Sequence, residues 1–348
     1  MSKKVAIGLS GGIDSSVAAY LLKKKGFKVM GFTLKFYPGQ NSCCDWESLY
    51  QAKRVCQRLG IPHYTIDSTD LFKKEIIDYF IASYLEGLTP NPCAFCNRMI
   101  KFGFFLEKVR SFGADYLATG HYARIARSKK RYFLKVNKDK KKSQEYFLSL
   151  IDPAILKHLI FPLGNYTKEK VKKIAKAKKI IFKPKKESQD VCFVQDKYYP
   201  EFIEENITDH HKQRGYIKHV SGKVLGKHKG IYYYTYGQRS GLGVSWTHPL
   251  YVTNVDPETK DVIVAEKNLF CRNSFFVHSF NWFLSPKKYK DIKVKVRYNS
   301  APLSCNLRFI DDRVEVKLEK KIDFLAPGQI AAFYRKDTLL GAGIIEKS

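Results

Sequence analysis

Residues 8–16 read Gly-Leu-Ser-Gly-Gly-Ile-Asp-Ser-Ser and follow the apolar run Val5 to Leu9. Beyond them Val17, Ala18, Leu21 and Leu22 recur at helical spacing until Gly26 ends the element. A strand that passes through a glycine turn straight into a helix belongs inside a parallel sheet, with the turn at the sheet's carboxyl edge. The same alternation continues. Lys28 to Leu34 reads as a second strand, and Leu49, Ala52, Val55, Cys56 and Leu59 as a helix closed by Gly60 and Pro62. His63 to Asp67 is a third strand, and a helix around Ile100 to Arg110 leads to a short strand at Tyr116 to Thr119. This order predicts an α/β fold with a doubly wound parallel sheet and right-handed crossovers.

The glycine loop also has a chemistry. Glycines let backbone N–H groups approach an anion, and Ser10, Ser15 and Ser16 add hydroxyls at the positive end of the helix. Asp14 can accept from the loop or hold Mg2+. No Gly-Lys-Ser/Thr ending is present, which excludes the loop of Walker-type kinases and GTPases. The structural alternative is a tight turn whose Ser or Asp caps the next helix. Ser10-Gly11-Gly12-Ile13-Asp14-Ser15 resembles the PP-loop of the ATP pyrophosphatase superfamily. That resemblance implies cleavage of ATP between the α and β phosphates, adenylation of a carbonyl oxygen and release of pyrophosphate. Gly120, after the later strand, is placed to let the backbone approach ATP.

At 348 residues the chain has room for two or three domains with their own cores. After about residue 200 the texture turns to strands: Tyr232 to Tyr236, Tyr251 to Val255, and Val262 to Ala265, with Asp256 and Pro257 turning between the last two. From about residue 280, Ile292, Val294 and Val296 alternate, Asp311 and Asp312 mark a hairpin, and Ile330 to Tyr334 is a closing strand. The expected organisation is a PP-loop domain over 1–200, a small β-rich domain over 201–275 and a β-barrel over 276–348. Lys and Arg exceed Asp and Glu by 62 to 33, a net charge of +29, which suits a polyanionic partner. The charge gathers at Lys129, Lys130, Arg131, Lys135, Lys138 and Lys140 to Lys142, and again over Lys168 to Lys186. Solvated loops and helix faces would carry the same pattern. The sequence shows no signal peptide and no apolar run of membrane-spanning length, so a cytoplasmic location, without membrane contact, is expected. The eight cysteines then sit in a reducing compartment.

Two cysteine contexts stand out: Pro90-Asn91-Pro92-Cys93-Ala94-Phe95-Cys96-Asn97 and Ser188-Gln189-Asp190-Val191-Cys192-Phe193. Sulfur transfer needs one thiolate to carry a persulfide and another to resolve it. Cys96, expected at a helix start, would have its thiolate favoured by the helix dipole. Cys56, Cys271 and Cys305 are expected to fill cores.

With these segments, Ala118-Thr119-Gly120-His121-Tyr122-Ala123-Arg124, Phe161-Pro162-Leu163-Gly164, Gly237-Gln238-Arg239, Gly241-Leu242-Gly243 and Pro327-Gly328-Gln329, nearly the whole chain resembles the tRNA-specific 2-thiouridylases. The resemblance implies that Gly8, Leu9, Ser10, Gly11, Gly12, Ile13, Asp14, Ser15, Leu34 and Gly120 surround ATP. It implies that Cys192 accepts persulfide sulfur from a cysteine desulfurase or relay protein, with Cys96 its catalytic partner. Asn91, Pro92 and Cys93 would lie against the target base. Further tRNA contacts would come from His121, Lys142, Ser143, Gln144, Arg297, Tyr298 and Gln329. The chain departs from the family's pattern at Cys93, where many relatives have Asp, and at Ser143, also Asp in relatives. Cys93, Cys96 and Cys192 offer three ligands for an iron–sulfur cluster, or Cys93 resolves the persulfide, or it binds nothing. A zinc site drawing on Cys43 and Cys44 is poorly spaced. Two rival readings are a PP-loop enzyme adenylating a small molecule and a non-catalytic RNA-binding protein.

Overall fold

The computed structural model of the protein describes residues 2–36, 46–180, 191–194, 198–208, 212, 214–269 and 271–347. Cys43, Cys44, Ser188, Gln189 and Asp190 lie outside the described residues.

The first part of the chain supplies β1 (Lys4–Gly8), β2 (Lys28–Lys35), β3 (His63–Asp67), β4 (Tyr116–Ala118), the hairpin β5 (Arg124–Ser128) and β6 (Arg131–Lys135), and β7 (Leu159–Ile160). Among the described residues, β3-β2-β1-β4-β7 lie side by side in that order, all parallel. Val5, Ala6 and Ile7 of β1 are fully buried because helices cover both faces, which is why this strand is apolar throughout rather than alternating. The helix Ile13–Lys24 buries Val17, Ala18, Leu21 and Leu22 against the sheet, as its spacing predicts. Gly26 follows it at φ +82°, the left-handed conformation that terminates helices.

A second sheet, β10-β11-β8-β9, is built from β8 (Gly215–His219), β9 (Val224–His228), β10 (Leu250–Val255) and β11 (Val262–Glu266). The expected strand Tyr232 to Tyr236 is absent from it: Ile231–Tyr233 form a 3-10 turn. In a strand Tyr232 and Tyr234 would share a face. Instead Tyr232 enters the core of the first domain and Tyr234 that of the second, so the chain must rotate between them.

The remaining strands are β12 (Arg272–Trp282), β13 (Lys293–Lys295), β14 (Leu303–Ile310), β15 (Arg313–Ile322), β16 (Ile330–Arg335) and β17 (Thr338–Ile345). They run β12-β15-β14-β13-β16-β17, and β17 pairs back onto β12 to close a barrel. Its interior holds Phe275, Val277, Val294, Val296, Val314, Val316 and Phe333, and the hairpin at Asp311 and Asp312 is formed. The β5–β6 hairpin joins this sheet at its β17 edge, where Thr338 pairs with Lys135. The basic segment around Lys129 and Lys130 is thus the turn of an extension of the barrel. Lys135 and Arg124 both reach Asp337, at 3.1 and 2.8 Å. Cys56 and Cys305 are buried, which pushes each thiol up to about 12. Cys271 does not fill a core: half-buried, its Sγ lies 3.5 Å from the Lys267 carbonyl and from Asp323.

Barrel and parallel-sheet domain share a core: Ile330, Ala332, Tyr334, Ala342 and Ile344 pack with Cys96, Ile100, Tyr146 and Leu148. Polar bonds fix the register. Tyr146 donates to the Ile330 carbonyl at 2.9 Å, and Asn281 Nδ2 donates to the carbonyls of Ser149 and Ile151 at 2.9 and 2.8 Å. Asn281→Ala strands two carbonyls at a buried seam. Chemical denaturation should show a loss of about 1–3 kcal/mol, and an unchanged midpoint would mean the seam is wet.

Candidate nucleotide and thiol site

The sheet order reverses between β1 and β4, so the loops after these two strands diverge to opposite faces and leave a crevice at the carboxyl edge. The loop after β1 is the glycine loop. Leu9 N–H bonds the Phe32 carbonyl at 2.7 Å, and Ser10 N–H donates to Ser15 Oγ at 3.2 Å, which curls the chain over the start of the helix. Gly11 has φ +71°, and a Cβ there would lie 2.5 Å from the Ser48 carbonyl oxygen. Gly120, in the loop after β4, is pressed against the glycine loop: a Cβ would lie 2.7 Å from Ser15 N. A Cβ on Gly12 meets only Ser10 Oγ, at 3.5 Å, so the loop's open side is there. Gly12 caps the helix without a side-chain bond, leaving the first-turn amides to an anion. Ser16 is not an anion donor as expected. Its buried hydroxyl bonds back to the Gly12 carbonyl at 2.8 Å. Gly8 closes β1, Ile13 opens the helix, and Leu34 lies buried near the end of β2.

Asp14 faces away from any simple metal role. Its Oδ1 accepts from Tyr122 OH at 2.7 Å and from Lys168 Nζ at 2.9 Å, and its Oδ2 from Lys168 Nζ at 2.7 Å. Mg2+ demands oxygen ligands at about 2.0–2.1 Å in octahedral array, and here an ammonium already occupies the carboxylate's reach. The donor set does not fit Mg2+ at Asp14. Lys168 went unnoticed in the sequence as one member of a lysine run, and only its neighbour Thr167, a helix N-cap, marks where the chain turns inward.

The thiol helix starts at Pro92. Asn91 caps it, accepting from Ala94 N–H at 3.2 Å. Cys93 therefore stands in the first turn, exposed, and Cys96 one turn on, buried. This corrects the expectation that Cys96 is the residue at the helix start. The barrel clamps this corner: Gln329 Nε2 donates to the carbonyls of Thr89 and Pro90, both at 3.1 Å, and Asn91 Nδ2 reaches Gln329 Oε1 at 3.5 Å. Asn97, after Cys96, donates to the Phe147 carbonyl at 2.9 Å. Cys192 sits half-buried in the 191–194 turn, held by Phe193 among Phe72, Phe80 and Phe202. Leu34, Cys96 and Cys192 all border one apolar core. Among the described residues no three Cys, His, Asp or Glu side chains are gathered for a metal, and that includes Cys93, Cys96 and Cys192. The three thiols as placed do not fit an iron–sulfur cluster.

The remaining expected contacts divide. Lys142 is exposed, but Ser143 is buried, its Oγ accepting from Asn137 N–H at 2.7 Å and donating to Glu145. Gln144 is spent on Tyr122, by its side-chain oxygen to Tyr122 N–H and its own N–H to the Tyr122 carbonyl, both at 2.8 Å. Ser143 and Gln144 thus hold the site's framework and do not face RNA with these groups. Tyr298 stacks near Phe147 with centroids 4.5 Å apart, beneath Lys295, and Arg297 donates to the Tyr236 carbonyl at 3.3 Å. Sequence reasoning did not single out Phe147 or Lys295, and it took in Tyr122 only as part of the Ala118 to Arg124 segment.

His121 bonds Thr119 Oγ1 at 2.7 Å through Nδ1 and lies between the rings of Phe102 and Phe161. Burial, with Lys101 nearby, pushes its imidazolium down to about 3. Its folded value is below the unfolded one of about 6.5, so the stability it contributes is complete above that pH and is lost as pH falls towards 3. In an NMR titration the His121 ring should stay neutral down to about pH 4, and His121→Gln should blunt acid destabilisation below about pH 6.5; protonation near 6.5 would contradict the packing.

Comparison with known proteins matches residues 3–196 to a family model described as a tRNA methyl transferase HUP domain, 200–266 to a tRNA methyl transferase PRC-barrel domain and 272–345 to an aminomethyltransferase beta-barrel domain. The tRNA-specific 2-thiouridylase MnmA of Aquifex aeolicus is 43% identical over 99% of both chains. That of Caldanaerobacter subterraneus subsp. tengcongensis is 42% identical over 100% of this chain and 99% of its own, and that of Clostridium acetobutylicum 41% over 99% and 100%. Identity of this extent, spread over every domain, makes the chain a member of the tRNA-specific 2-thiouridylase family.

Proposed function

We infer that this protein is a tRNA 2-thiouridylase, which replaces the 2-oxygen of the wobble uridine with sulfur at the expense of ATP. The observation that carries this reading is the common apolar core bordered by Leu34 at the nucleotide edge, Cys96 and Cys192. Both thiols thus pack into the same core as the end of the strand that lies beside the one feeding the glycine loop. A small-molecule synthetase needs neither the second thiol nor a barrel turn clamped on the thiol helix, and a passive RNA-binding protein has no use for the glycine contacts at Gly11 and Gly120.

In the proposed reaction ATP lies along Gly8 to Ser15, with Leu34 and Gly120 beside it, and the loop amides take its phosphates. Mg2+ enters on the phosphates rather than on Asp14. The uridine is flipped from its stack to lie against Asn91, Pro92 and Cys93. Its 2-oxygen bonds the α-phosphorus while the bond to the bridging oxygen breaks, and the electron pair leaves with pyrophosphate. A persulfide on Cys192, loaded by a cysteine desulfurase or relay protein, attacks carbon two; AMP departs with the former 2-oxygen. Cys96 thiolate then attacks Cys192 Sγ, releasing the thiouridine sulfur and leaving a Cys96–Cys192 disulfide for a cellular dithiol to reduce. Gln329, His121, Lys142, Arg297 and Tyr298 contact the tRNA, His121 as a neutral ring. The excess of cations makes that binding salt-dependent. Among the described residues no helix is long and apolar enough to cross a membrane, and a cytoplasmic location, where ATP and tRNA are at hand, goes with this reading.

The matched family models carry methyl transfer in their descriptions, so the product decides. Incubated with unmodified tRNA, Mg-ATP and a sulfide source, the protein should yield 2-thiouridine on nucleoside mass spectrometry. With a persulfide donor, Cys192→Ser should lose this product at least about a hundredfold while retaining tRNA binding. A methylated uridine, or full thiolation by Cys192→Ser, would sink the reading.

A further inference from the structure

The glycine loop lacks the lysine that Walker-type loops carry in their own sequence, yet a buried lysine reaches it from 154 residues away. Lys168 opens the helix Lys168–Ala177, whose N-terminus is capped by Thr167 and tied down by Lys168 N–H to Asp139 Oδ2 at 3.0 Å. That helix packs against Ile13–Lys24, the helix the glycine loop feeds. The Lys168 side chain is 7% exposed and runs over the face of Tyr122, 5.8 Å from the ring centroid, before it meets Asp14. Asp14 is the second residue of its helix, so the ammonium is anchored on the first turn of the helix that the glycine loop feeds.

We propose that Lys168 is the fixed cation of the nucleotide site, a catalytic residue that contacts the pyrophosphate portion of ATP, and that Asp14 and Tyr122 are positioning residues that aim it. The assignment rests on the ATP reading of the loop. As the bond between the α-phosphorus and the bridging oxygen breaks, negative charge collects on the departing pyrophosphate. An ammonium already desolvated and held by two oxygens stabilises that charge without reorganising. Asp14 accordingly does not ligate Mg2+, and the metal requirement is set by the phosphates.

The test uses the full-length protein with tRNA and a persulfide donor, and reads ATP affinity by calorimetry, pyrophosphate release, half-saturating Mg2+ and thermal midpoint for Lys168→Met, Lys168→Arg, Asp14→Asn and the double variant Asp14→Asn/Lys168→Met. Lys168→Met should slow pyrophosphate release about 10²–10³-fold and weaken ATP binding, and Lys168→Arg should recover part of both. Asp14→Asn should lower the rate with no change in half-saturating Mg2+. The double variant, freed of Asp14's unpaired and partly buried charge, should regain part of the midpoint lost in Lys168→Met without regaining rate or ATP affinity. Rate returning with stability in the double variant would reduce the pair to a structural one. A raised Mg2+ requirement in Asp14→Asn alone would make Asp14 a metal ligand. Each result overturns the proposal. Wild-type protein that makes no 2-thiouridine would refute the thiolation reading, whereas a wild type that thiolates alongside a fully active Lys168→Met would refute only this assignment.

Discussion

The ion pair between Asp14 and Lys168 is the constraint on which the nucleotide crevice depends. It bonds the helix after β1 to a helix that begins beyond β7, so elements on either side of the sheet's reversal point are locked to one another. Lys168 is 7% exposed and Asp14 32%, and removing such charges from water carries a cost that their attraction offsets only with good geometry and extra hydrogen bonds. Here the lysine meets both oxygens and Tyr122 adds a third hydrogen bond. Such a pair is a poor way to gain stability, since a well-packed apolar pair does as well. Its retention makes sense where a charge must stand at a fixed place.

A second lock joins the crevice to the barrel. The turn Pro327-Gly328-Gln329 lies across Thr89 and Pro90, with Thr89 N–H on the Pro327 carbonyl at 2.8 Å and Gln329 on both carbonyls. Gly328 has φ +85°, and a Cβ on it would come within 3.1 Å of Leu88 Cβ, so the approach is as close as a side-chain-free residue permits. The cap of the thiol helix is therefore set partly by the last domain. A barrel that engages an RNA stem would thereby fix the place of the thiols relative to the base.

The alternation of strands and helices was legible in the sequence because a sheet covered on both faces requires continuous apolar strands, and Val5 to Leu9 has them. The glycine loop was legible because φ +71° at Gly11 and backbone contact at Gly11 and Gly120 admit no side chain. What sequence patterns hid are the long-range partners. Lys168 looks like its neighbours Lys170, Lys172 and Lys173 until the fold turns it inward, and Ser143 reads as a surface residue in a lysine segment although it is buried on Glu145. Tyr232 to Tyr236 has strand composition, yet the two cores it must serve lie on different sides. The hairpin β5–β6 belongs by sequence to the first domain and by pairing to the last, a feature set by the pairing of Thr338 with Lys135 and by the bonds of Arg124, Lys135 and Val136 to Asp337, which no local pattern encodes.

The apolar setting of the thiols follows from the proposed chemistry. An O-adenylated uridine is open to attack by water as well as by sulfur, and attack by water returns the starting base with ATP consumed. Excluding water is the remedy, because it leaves sulfur as the nucleophile in reach. Cys96 is buried in a core of aliphatic and aromatic side chains, and the Cys192 turn is held by Phe193 packed edge-on against Phe72 and Phe80. These rings cannot assist a proton transfer or bind a phosphate. Such packing beside the half-buried Cys192 and the burial of Cys96, while Cys93 stands exposed a turn from Cys96, fit a site in which the base is brought to sheltered sulfur and solvent is kept from following it.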